Sequence, residues 1–536
     1  MAYLIQHLLT KSARIAPKSI ALICGNEQIT YAELDAESTR LGTGLAALGT
    51  ERGDRVGLYL PRGIAAVAGL FGVLKAGAAY VPLDPFCPPA RLAYILNACE
   101  ITTLLTTREN IGVIERTMPE LPLLRNIVIM NGGEGLPEAA GQARVIGWKD
   151  LKATDGPIPE TGAIDADLAY VLFTSGSTGT PKGVMLSHRN ALTFIESAAD
   201  LFRISPHDRV SNICPLHFDM SVFDLFVAVR AGAAVVIIPE SAATFPVRLA
   251  ETIARHRISV WNSVPSALVL LAAYANLNSH DLSTLRMVLF AGERFPIKYL
   301  RRLQEALPTA RFCNLYGQTE ANSSTCYWID RIPEDPAASL PIGKALPNFE
   351  VFALDDDGRK IVGPGREGEL YVRASTVALG YWGDAERTAK AFIPNPLAPE
   401  GSERVYRTGD LVSMDDEGNY LFLGRKDHLI KSRGYRIEIG EIESVLSDHA
   451  LVKSAVVLPI PDELIGNRIM AIIVPSSPGC LTREAVLQHC SRKLPRYMLP
   501  ELIEFRDGLP TTSSGKVDRT SLRSTLASTT GRQTVA

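Results

Sequence analysis

The 536-residue chain has little of several features that mark other classes of protein. Its eight cysteines are scattered, with no Cys-x-x-Cys pair and no Cys/His cluster, so a disulfide framework and a zinc site are both disfavoured. No long basic run is present, and 55 basic against 58 acidic residues give a net charge of −3. Electrostatic capture of nucleic acid or of an anionic membrane is therefore not expected.

The sequence also lacks an uninterrupted apolar run. The most apolar region, residues 56–83, is broken by Arg62, Lys75, two prolines and several glycines. That pattern is poor for a membrane span and favours a buried strand, helix and strand. The first residues show no basic start followed by an apolar stretch and a cleavage site, so secretion is disfavoured. We expect a cytoplasmic protein with reduced thiols.

The composition that remains is that of an ordinary globular protein, with 46% hydrophobic and 21% charged residues. The length exceeds what one growing core accommodates, so a large domain with at least one smaller domain is expected. Short β-rich runs alternate with longer helical patterns, which predicts α/β architecture. The clearest strand-like runs are 55–60, 235–239, 286–290 and 311–315, and the clearest helical patterns are 247–256 and 297–307.

Turn chemistry divides the second half of the chain. The Asp/Gly-rich segments 355–358 and 415–418 are typical of hairpin connections and indicate a β-rich section over about 345–425. After residues 424–427 the pattern changes to a compact set of strands and helices about 110 residues long, enough for a separate domain. We predict a large N-terminal domain over 1–426 and a small C-terminal α+β domain over 427–536.

One segment has the composition of a phosphate-binding loop. The apolar strand 169–173 runs directly into residues 174–183, which contain five hydroxyl side chains, three glycines and one lysine. Glycines let backbone N–H groups approach an anion, hydroxyls add donors and lysine supplies a charge, which suits a polyphosphate. The spacing is not that of a Walker loop. By composition alone, a Gly/Ser-rich connector is the alternative.

Residues 170–184 resemble the signature loop of the acyl-adenylate-forming superfamily, which includes acyl-CoA synthetases, luciferases and the adenylation domains of nonribosomal peptide synthetases. Further family motifs recur in the family's order over nearly the whole chain, at 74–85, 314–320, 406–410, 424–427, 433–438, 494–500 and 514–516. The resemblance implies a large N-terminal domain of α/β subdomains with a β-rich section. It also implies a small mobile C-terminal domain that swings about a hinge at Asp427.

The resemblance implies ATP and Mg²⁺ as cofactors. Adenylation requires a carboxylate to attack the α-phosphate, so the site must hold two anions and stabilise a pentacoordinate transition state. By resemblance, Lys516 reaches the substrate carboxylate and the α-phosphate, Thr319 donates to the α-phosphate, and Glu320 is the magnesium ligand. A carboxylate suits a hard cation that bridges phosphates.

The nucleotide-binding set follows from the same motifs. Tyr316 is implied to lie against adenine, Asp410 to accept from the ribose hydroxyls, and Arg425 to lie near the ribose and phosphate. The complete set implied to bind the cofactor is Thr174, Ser175, Gly176, Ser177, Thr178, Gly179, Lys182, Tyr316, Gly317, Asp410 and Arg425.

Residues 217–225 indicate which carboxylic acid is activated. They resemble the Phe-Asp-x-Ser element of amino-acid-activating adenylation domains, whose aspartate, here Asp219, binds the α-ammonium group. A carboxylate in an apolar pocket makes physical sense when it receives a cation, because burying it unpaired costs several kcal/mol. The alternative is that Asp219 caps a helix beginning near Ser221.

The family's pocket positions correspond to Asp219, Met220, Phe223, Asn262, Leu289, Ala291, Leu315, Ser323 and Ser324, with Lys516. The bulky apolar members leave limited volume, and Asn262 and the serines offer only neutral hydrogen bonds. We expect a small neutral amino acid, with alanine first and proline, serine, glycine and cysteine behind it. Selectivity among these is worth only about 1–3 kcal/mol.

The chain departs from the peptide synthetase pattern at Gln318, where a proline is common. Lys516 is followed by twenty residues, too few for a carrier domain. We therefore expect a free-standing ligase. It would transfer the aminoacyl group to the phosphopantetheine thiol of a separate carrier protein, or to coenzyme A. The main rival is an acyl- or aryl-CoA ligase in which Asp219 is structural. A luciferase-like oxygenase shares the fold, and a non-catalytic nucleotide-binding relative is disfavoured because Lys516 and Glu320 are both retained.

Overall fold

The computed structural model describes residues 2–132, 135–151, 160–176, 180–426, 429–477, 479–510, 518–519 and 521–522. The chain divides into two compact units. The larger unit contains Met1–Pro85, Leu92–Thr174 and Lys182–Asp427, and the smaller contains Phe86–Arg91, Ser175–Pro181 and His428–Ala536. No helix formed by the described residues has the length and apolar content needed to cross a bilayer.

Two nine-stranded sheets form the framework of the larger unit. Each has a central block of six parallel strands with antiparallel strands at its edges. In spatial order, the first sheet contains Lys344–Ala345, Asn322–Trp328, Arg311–Gln318, Met287–Ala291, Val260–Ser263, Arg209–Asn212, Ala234–Ile237, Ile20–Cys24 and Glu27–Thr30. The second contains Gly380–Tyr381, Lys182–Ser187, Leu168–Thr174, Ala79–Pro82, Arg55–Tyr59, Thr103–Thr106, Asn126–Ile129, Ala143–Gly147 and Ala139–Ala140.

Helices cover these sheets, as expected for parallel strands buried on both faces. They are Gln6–Ile15, Tyr31–Ala47, Ile64–Lys75, Pro89–Ala98, Ile111–Thr117, His188–Leu201, Met220–Val222, Phe223–Val227, Ala228–Ala231, Glu240–Ala243, Pro246–His256, Pro265–Tyr274, Ile297–Ala306 and Ala385–Ala391. Single 3₁₀ turns lie at Arg108–Asn110, Met118–Glu120, Trp148–Asp150 and Leu277–Ser279.

A capping box fixes the start of the helix that follows the strand Lys182–Ser187. The Ser187 hydroxyl accepts from the Asn190 amide N–H at 3.2 Å, and the Asn190 side chain accepts from the Ser187 amide at 2.8 Å. These bonds satisfy two backbone donors that a helix start leaves unpaired. The helix His188–Leu201 therefore begins at a defined residue.

The β-rich section forms a third sheet of the larger unit. Its strands are Phe349–Leu354, Gly368–Ala374, Arg404–Met414, Phe392–Pro394 and Tyr420–Arg425. The turn at 415–418 joins two antiparallel strands, as predicted. The turn at 355–358 also reverses the chain, and it is flanked by an isolated antiparallel bridge between Leu354 and Lys360.

The smaller unit has its own apolar core, built around Ile437, Ile442, Ile469 and Ile473. Its strands are Leu429–Ser432, Tyr435–Glu438, Val452–Asp462, Gly466–Pro475 and Leu502–Phe505, and its helices are Ile439–Ser447, Arg483–Ser491 and the 3₁₀ turn Arg496–Met498. Its first two strands, Leu429–Ser432 and Tyr435–Glu438, pair as an antiparallel hairpin. The α/β class with a large N-terminal and a smaller C-terminal part is confirmed.

Candidate active site

Three side chains from separate segments of the larger unit meet in one buried cluster. The Lys182 ammonium lies 3.0 Å from the Glu320 carboxylate and 3.2 Å from the Tyr381 hydroxyl. The Tyr381 hydroxyl donates to the same Glu320 oxygen at 2.9 Å. Glu320 is fully buried, and burial of a carboxylate is costly unless it is paired and hydrogen-bonded. The structure thus brings two residues of the predicted site together and adds Tyr381, which sequence reasoning missed.

A tight antiparallel turn carries Thr319 and Glu320. It joins the strands Arg311–Gln318 and Asn322–Trp328, and Gly317 sits against the second strand. A Cβ on Gly317 would lie 1.9 Å from the backbone oxygen of Asn322, so only glycine fits. Glycine at position 317 therefore lets the two strands of the hairpin approach each other next to the turn.

Asp410 receives hydrogen bonds from three side chains. The Tyr316 hydroxyl donates to it at 2.5 Å, and Gln318 and Arg425 donate to it as well. Arg425 faces Asp410 because the two residues are register partners on neighbouring strands. Burial, and secondarily the Asp410 charge, raise the pKa of Tyr316 well above its ordinary value. The predicted ribose-binding carboxylate is thus held by two predicted site residues and by Gln318, which the motif comparison noted only as a departure.

Six buried side-chain oxygens of the larger unit have no hydrogen-bond partner among the described residues. Two of them lie at or beside predicted nucleotide-binding residues. They are Thr174 Oγ1, at the end of the strand before the glycine-rich loop, and Gln318 Oε1, on the amide that donates to Asp410. Buried polar atoms are normally paired. Unpaired ones beside a predicted nucleotide site fit a ligand that brings hydroxyl or amide donors.

The predicted phosphate-loop residues fall in different places. Ser175 and Gly176 belong to the smaller unit, where the Ser175 hydroxyl donates to the Arg436 carbonyl at 2.8 Å and the Gly176 amide donates to the Glu441 carboxylate at 3.2 Å. Ser177, Thr178, Gly179, Asp427 and Lys516 lie outside the described residues. Their roles remain predictions.

Strand register gathers part of the predicted substrate pocket on one face of the first sheet. Asn262 pairs with Leu289 across parallel strands, and Ala291 pairs with Leu315. Residues two apart on a strand share a face, so all four side chains project to the same side. Ser323 pairs with Gly317 in the adjacent hairpin, where the fully buried Ser324 donates to the Asn322 carbonyl at 3.2 Å.

The helical segment after Asp219 carries two further residues of the predicted pocket. Met220 is half-buried and Phe223 is buried in the same core cluster as Leu289 and Leu315. Asp219 itself is half-buried and precedes the helix, but its side chain makes no capping hydrogen bond. The capping alternative is therefore wrong. Burial, and secondarily the Asp219 charge, raise the pKa of Tyr170, which places the carboxylate near that buried ring.

A second aspartate, Asp224, was missed although it lies five residues after Asp219. It is fully buried in the π-helical turn Phe223–Val227, and π turns are frequent at functional sites. Its carboxylate accepts from Asn262 at 2.7 Å and from Asn212 at 3.0 Å. Burial raises the pKa of Asp224 to about 7, against the lowering effect of the Asn262, Asn212 and Arg62 side chains. The presence of a second aspartate in the motif 217–225 was the sequence signal that could have identified it.

The donor set suits a nucleotide-bound metal better than a protein cage. Among the residues that the structure describes, no group of three or more His, Cys, Asp or Glu side chains could hold a metal ion. Mg²⁺ bound to nucleotide phosphates needs only one or two protein carboxylates and keeps several waters. A single buried glutamate, Glu320, meets that requirement.

The chain is similar to known proteins over nearly its whole length. Residues 9–382 match the AMP-binding enzyme family, and residues 441–516 match the AMP-binding enzyme C-terminal domain. The chain is 36% identical to an L-proline--[L-prolyl-carrier protein] ligase of Pseudomonas fluorescens over 506 residues, 94% of this chain and 96% of that protein. A ligase of the same name from Streptomyces coelicolor is 36% identical over 499 residues, 92% of this chain and 91% of that protein. The crystal structure of IdnL1 matches with a TM-score of 0.78 and 29% identity, covering 95% of this chain and 99% of that chain.

Proposed function

Since this chain belongs to the AMP-binding enzyme family, we propose that it activates a small neutral amino acid as its aminoacyl-AMP, with release of pyrophosphate, and transfers the aminoacyl group to the phosphopantetheine thiol of a separate carrier protein. The observation that carries the proposal is Asp219. Its carboxylate is half-buried at the start of the helix that contributes Met220 and Phe223, and it makes no helix cap. A carboxylate at this position can form an ion pair with the α-ammonium group of an amino acid.

We propose L-proline as the first substrate to test. Two full-length relatives are named as ligases for proline and a prolyl-carrier protein, which moves proline ahead of alanine, the first choice from the sequence. The face formed by Asn262, Leu289, Ala291 and Leu315 carries no charged side chain. A neutral side chain or ring of a few carbons suits that surface.

The nucleotide would be ATP, with its ribose at Asp410. The Gln318 Oε1 and Thr174 Oγ1 atoms are buried and have no partner among the described residues. They could accept hydrogen bonds from the hydroxyl or amino groups of the nucleotide. Tyr316 and Arg425 already fix the Asp410 carboxylate, so little reorganisation is needed when the ribose diol arrives. Groups that are held in place before a ligand arrives lower the ordering cost of binding.

The phosphates would be held by Lys182 and Thr319, with Lys516 stabilising the charge that develops when the carboxylate attacks the α-phosphorus. Mg²⁺, when bound, offsets the charge of the phosphate oxygens, and Glu320 is the residue that would hold it. Lys182 pairs with Glu320, so the lysine that would bind the phosphates and the carboxylate that would hold the metal lie side by side.

The first experiment is substrate-dependent exchange of labelled pyrophosphate into ATP. The panel contains the standard amino acids together with fatty and aromatic acids that lack an amine. Selective exchange with proline, alanine or another small amino acid is expected. Exchange only with acids lacking an amine would overturn the proposal and favour a CoA ligase.

The acceptor is tested separately. Holo carrier protein, apo carrier protein and coenzyme A are offered with the activated amino acid, and thioester is measured by intact mass. We expect loading of the holo carrier protein only. Preferential formation of the aminoacyl-CoA would contradict the carrier-protein assignment while leaving adenylation intact.

A further inference from the structure

Tyr381 contacts two of the side chains proposed for the metal nucleotide, although no motif pointed to it. Its hydroxyl lies 2.9 Å from the Glu320 carboxylate and 3.2 Å from the Lys182 ammonium. The same ammonium lies 4.5 Å from the centre of the Tyr381 ring. The tyrosine therefore contacts the acid through its hydroxyl and the base through its hydroxyl and ring.

The backbone and ring of Tyr381 are fixed by their surroundings. The short strand Gly380–Tyr381 pairs with the strand Lys182–Ser187, with Tyr381 opposite Val184. The Tyr381 amide donates to the Thr388 hydroxyl at 2.9 Å, and its ring meets Phe392 edge-on at 5.4 Å. A ring held in this way presents its hydroxyl at a defined point.

Proton counting sets the direction of both hydrogen bonds. An ammonium has only donors and a carboxylate only acceptors. Lys182 therefore donates to the Tyr381 oxygen, and the single Tyr381 proton goes to Glu320. The second of these bonds does not depend on the first, so it can persist when Lys182 moves away.

We propose that Tyr381 is a positioning residue for the metal bound with the nucleotide. Its hydroxyl donates to the Glu320 carboxylate and would hold that carboxylate in one orientation for the metal. This inference rests on the proposed function, because it takes Glu320 as the metal ligand. Hydrogen-bonding partners of metal-binding carboxylates commonly contribute 10–100-fold to metal affinity or activity.

The variant that tests the inference is Tyr381→Phe, which keeps the ring packing on Phe392 and removes only the hydroxyl. We expect the Mg²⁺ concentration that half-saturates pyrophosphate exchange to rise about tenfold or more. The KM for the amino acid should stay within about twofold, because no contact on the Asp219 side changes, and raised Mg²⁺ should restore kcat. A purely structural role would lower Tm and leave the metal dependence unchanged.

A binding measurement without turnover accompanies it. Free Mn²⁺ is titrated against protein and α,β-methylene-ATP and counted by its electron paramagnetic resonance signal. The Kd for Mn²⁺ should rise by a similar factor in Tyr381→Phe. Equal Kd values for the variant and the wild type would overturn the inference.

Tyr420→Phe is the matched control. Tyr420 is a buried tyrosine of the same unit whose hydroxyl donates to the Val351 carbonyl at 3.3 Å. Its loss should change Tm without changing the metal dependence. Suppose that none of the amino acids supports pyrophosphate exchange by the wild type, yet the wild type binds Mn²⁺ more tightly than Tyr381→Phe. The proposed function then fails and the role of Tyr381 stands. If proline supports exchange and the variant shows the wild-type metal dependence, only the role of Tyr381 fails.

Discussion

Asp219 is the side chain on which substrate class depends. Asp219 is half-buried, and in the proposed function its carboxylate forms an ion pair with the substrate amine, which an amine-free acid cannot provide. We expect Asp219→Ala to lower kcat/KM for proline on the order of a hundredfold, which corresponds to roughly 3 kcal/mol. Pyrophosphate exchange at varied proline concentration measures it.

The control for Asp219 is a substrate that differs only at the amine. Tetrahydrofuran-2-carboxylate has the ring of proline with oxygen in place of nitrogen. The wild type should strongly prefer proline over this acid, and Asp219→Ala should lose most of that preference. A variant with unchanged proline kinetics would show that the carboxylate does not bind the substrate amine.

Asp224 gives a prediction about pH. Its folded-state pKa is raised to about 7 by burial, so between the ordinary carboxyl range and pH 7 the folded protein binds more protons than the unfolded chain. Stability from this group is therefore lost as pH rises through that window. Asp224→Asn removes the effect, and its Tm relative to the wild type should be higher at pH 8 than at pH 5.5. Arg62 and the Cys214 thiol are the other titratable groups coupled to this carboxyl.

Asp208 provides the opposite case for comparison. Although burial acts to raise its pKa, hydrogen bonds from Arg286 and Ser259 lower it to about 2. A carboxylate with a lowered pKa stabilises the folded protein at pH values above its ordinary pKa. At pH 5.5 and at pH 8 it is ionised in both the folded and the unfolded protein. Asp208→Asn should therefore lower Tm by a similar amount at both pH values. An equal effect of Asp224→Asn at the two pH values would contradict the raised pKa.

At the scale of elements, the hairpin that contains Gly317 places Thr319 and Glu320. A methyl group on Gly317 would collide with the Asn322 backbone oxygen, so the two strands must separate. Displacements of about 1 Å at a catalytic group cost up to a hundredfold in rate. We expect Gly317→Ala to lower pyrophosphate exchange tenfold or more.

Gly112→Ala is the control for that substitution. Gly112 lies in the helix Ile111–Thr117, where an added methyl group would meet only the far end of Arg116 at 3.6 Å. Alanine is favoured over glycine in a helix by about 1 kcal/mol, so activity should be unchanged and Tm equal or higher. Near-wild-type exchange by Gly317→Ala would show that the turn does not set the position of Glu320.

Pairing between elements is also where sequence reasoning reached its limit. The hydrophobic pattern predicted the strands at 55–60, 286–290 and 311–315, because a buried strand needs an apolar run. It did not predict the strand Gly380–Tyr381 or its pairing with the strand Lys182–Ser187, because a two-residue strand has no hydrophobic periodicity. Tyr381 was missed for that reason.

At the scale of the whole molecule, the hinge at Asp427 and the role of Lys516 remain predictions. If Lys516 stabilises charge in the adenylation transition state, Lys516→Ala should lower pyrophosphate exchange by about 10²–10³-fold, as the loss of one oxyanion-hole donor does. Binding of ATP, measured by calorimetry, should change much less. Lys493→Ala, which removes a half-exposed lysine paired with Asp448 at 2.8 Å, should leave both unchanged. Parallel losses of ATP affinity and exchange in Lys516→Ala would indicate a nucleotide-binding role only.

The sequence by itself indicated the fold class and, through its resemblance to the acyl-adenylate-forming superfamily, the adenylating chemistry. It also determined which residues carry hydroxyl, carboxylate and ammonium groups, because residue types and motifs are read directly along the chain. Tertiary structure alone decided which of these groups meet. Strand register put Asn262, Leu289, Ala291 and Leu315 on one face, and chain packing placed Tyr381 between Glu320 and Lys182. Such contacts join residues 61 and 199 positions apart. No local pattern encodes them, since hydrogen bonds at this distance along the chain exist only after the sheets have formed.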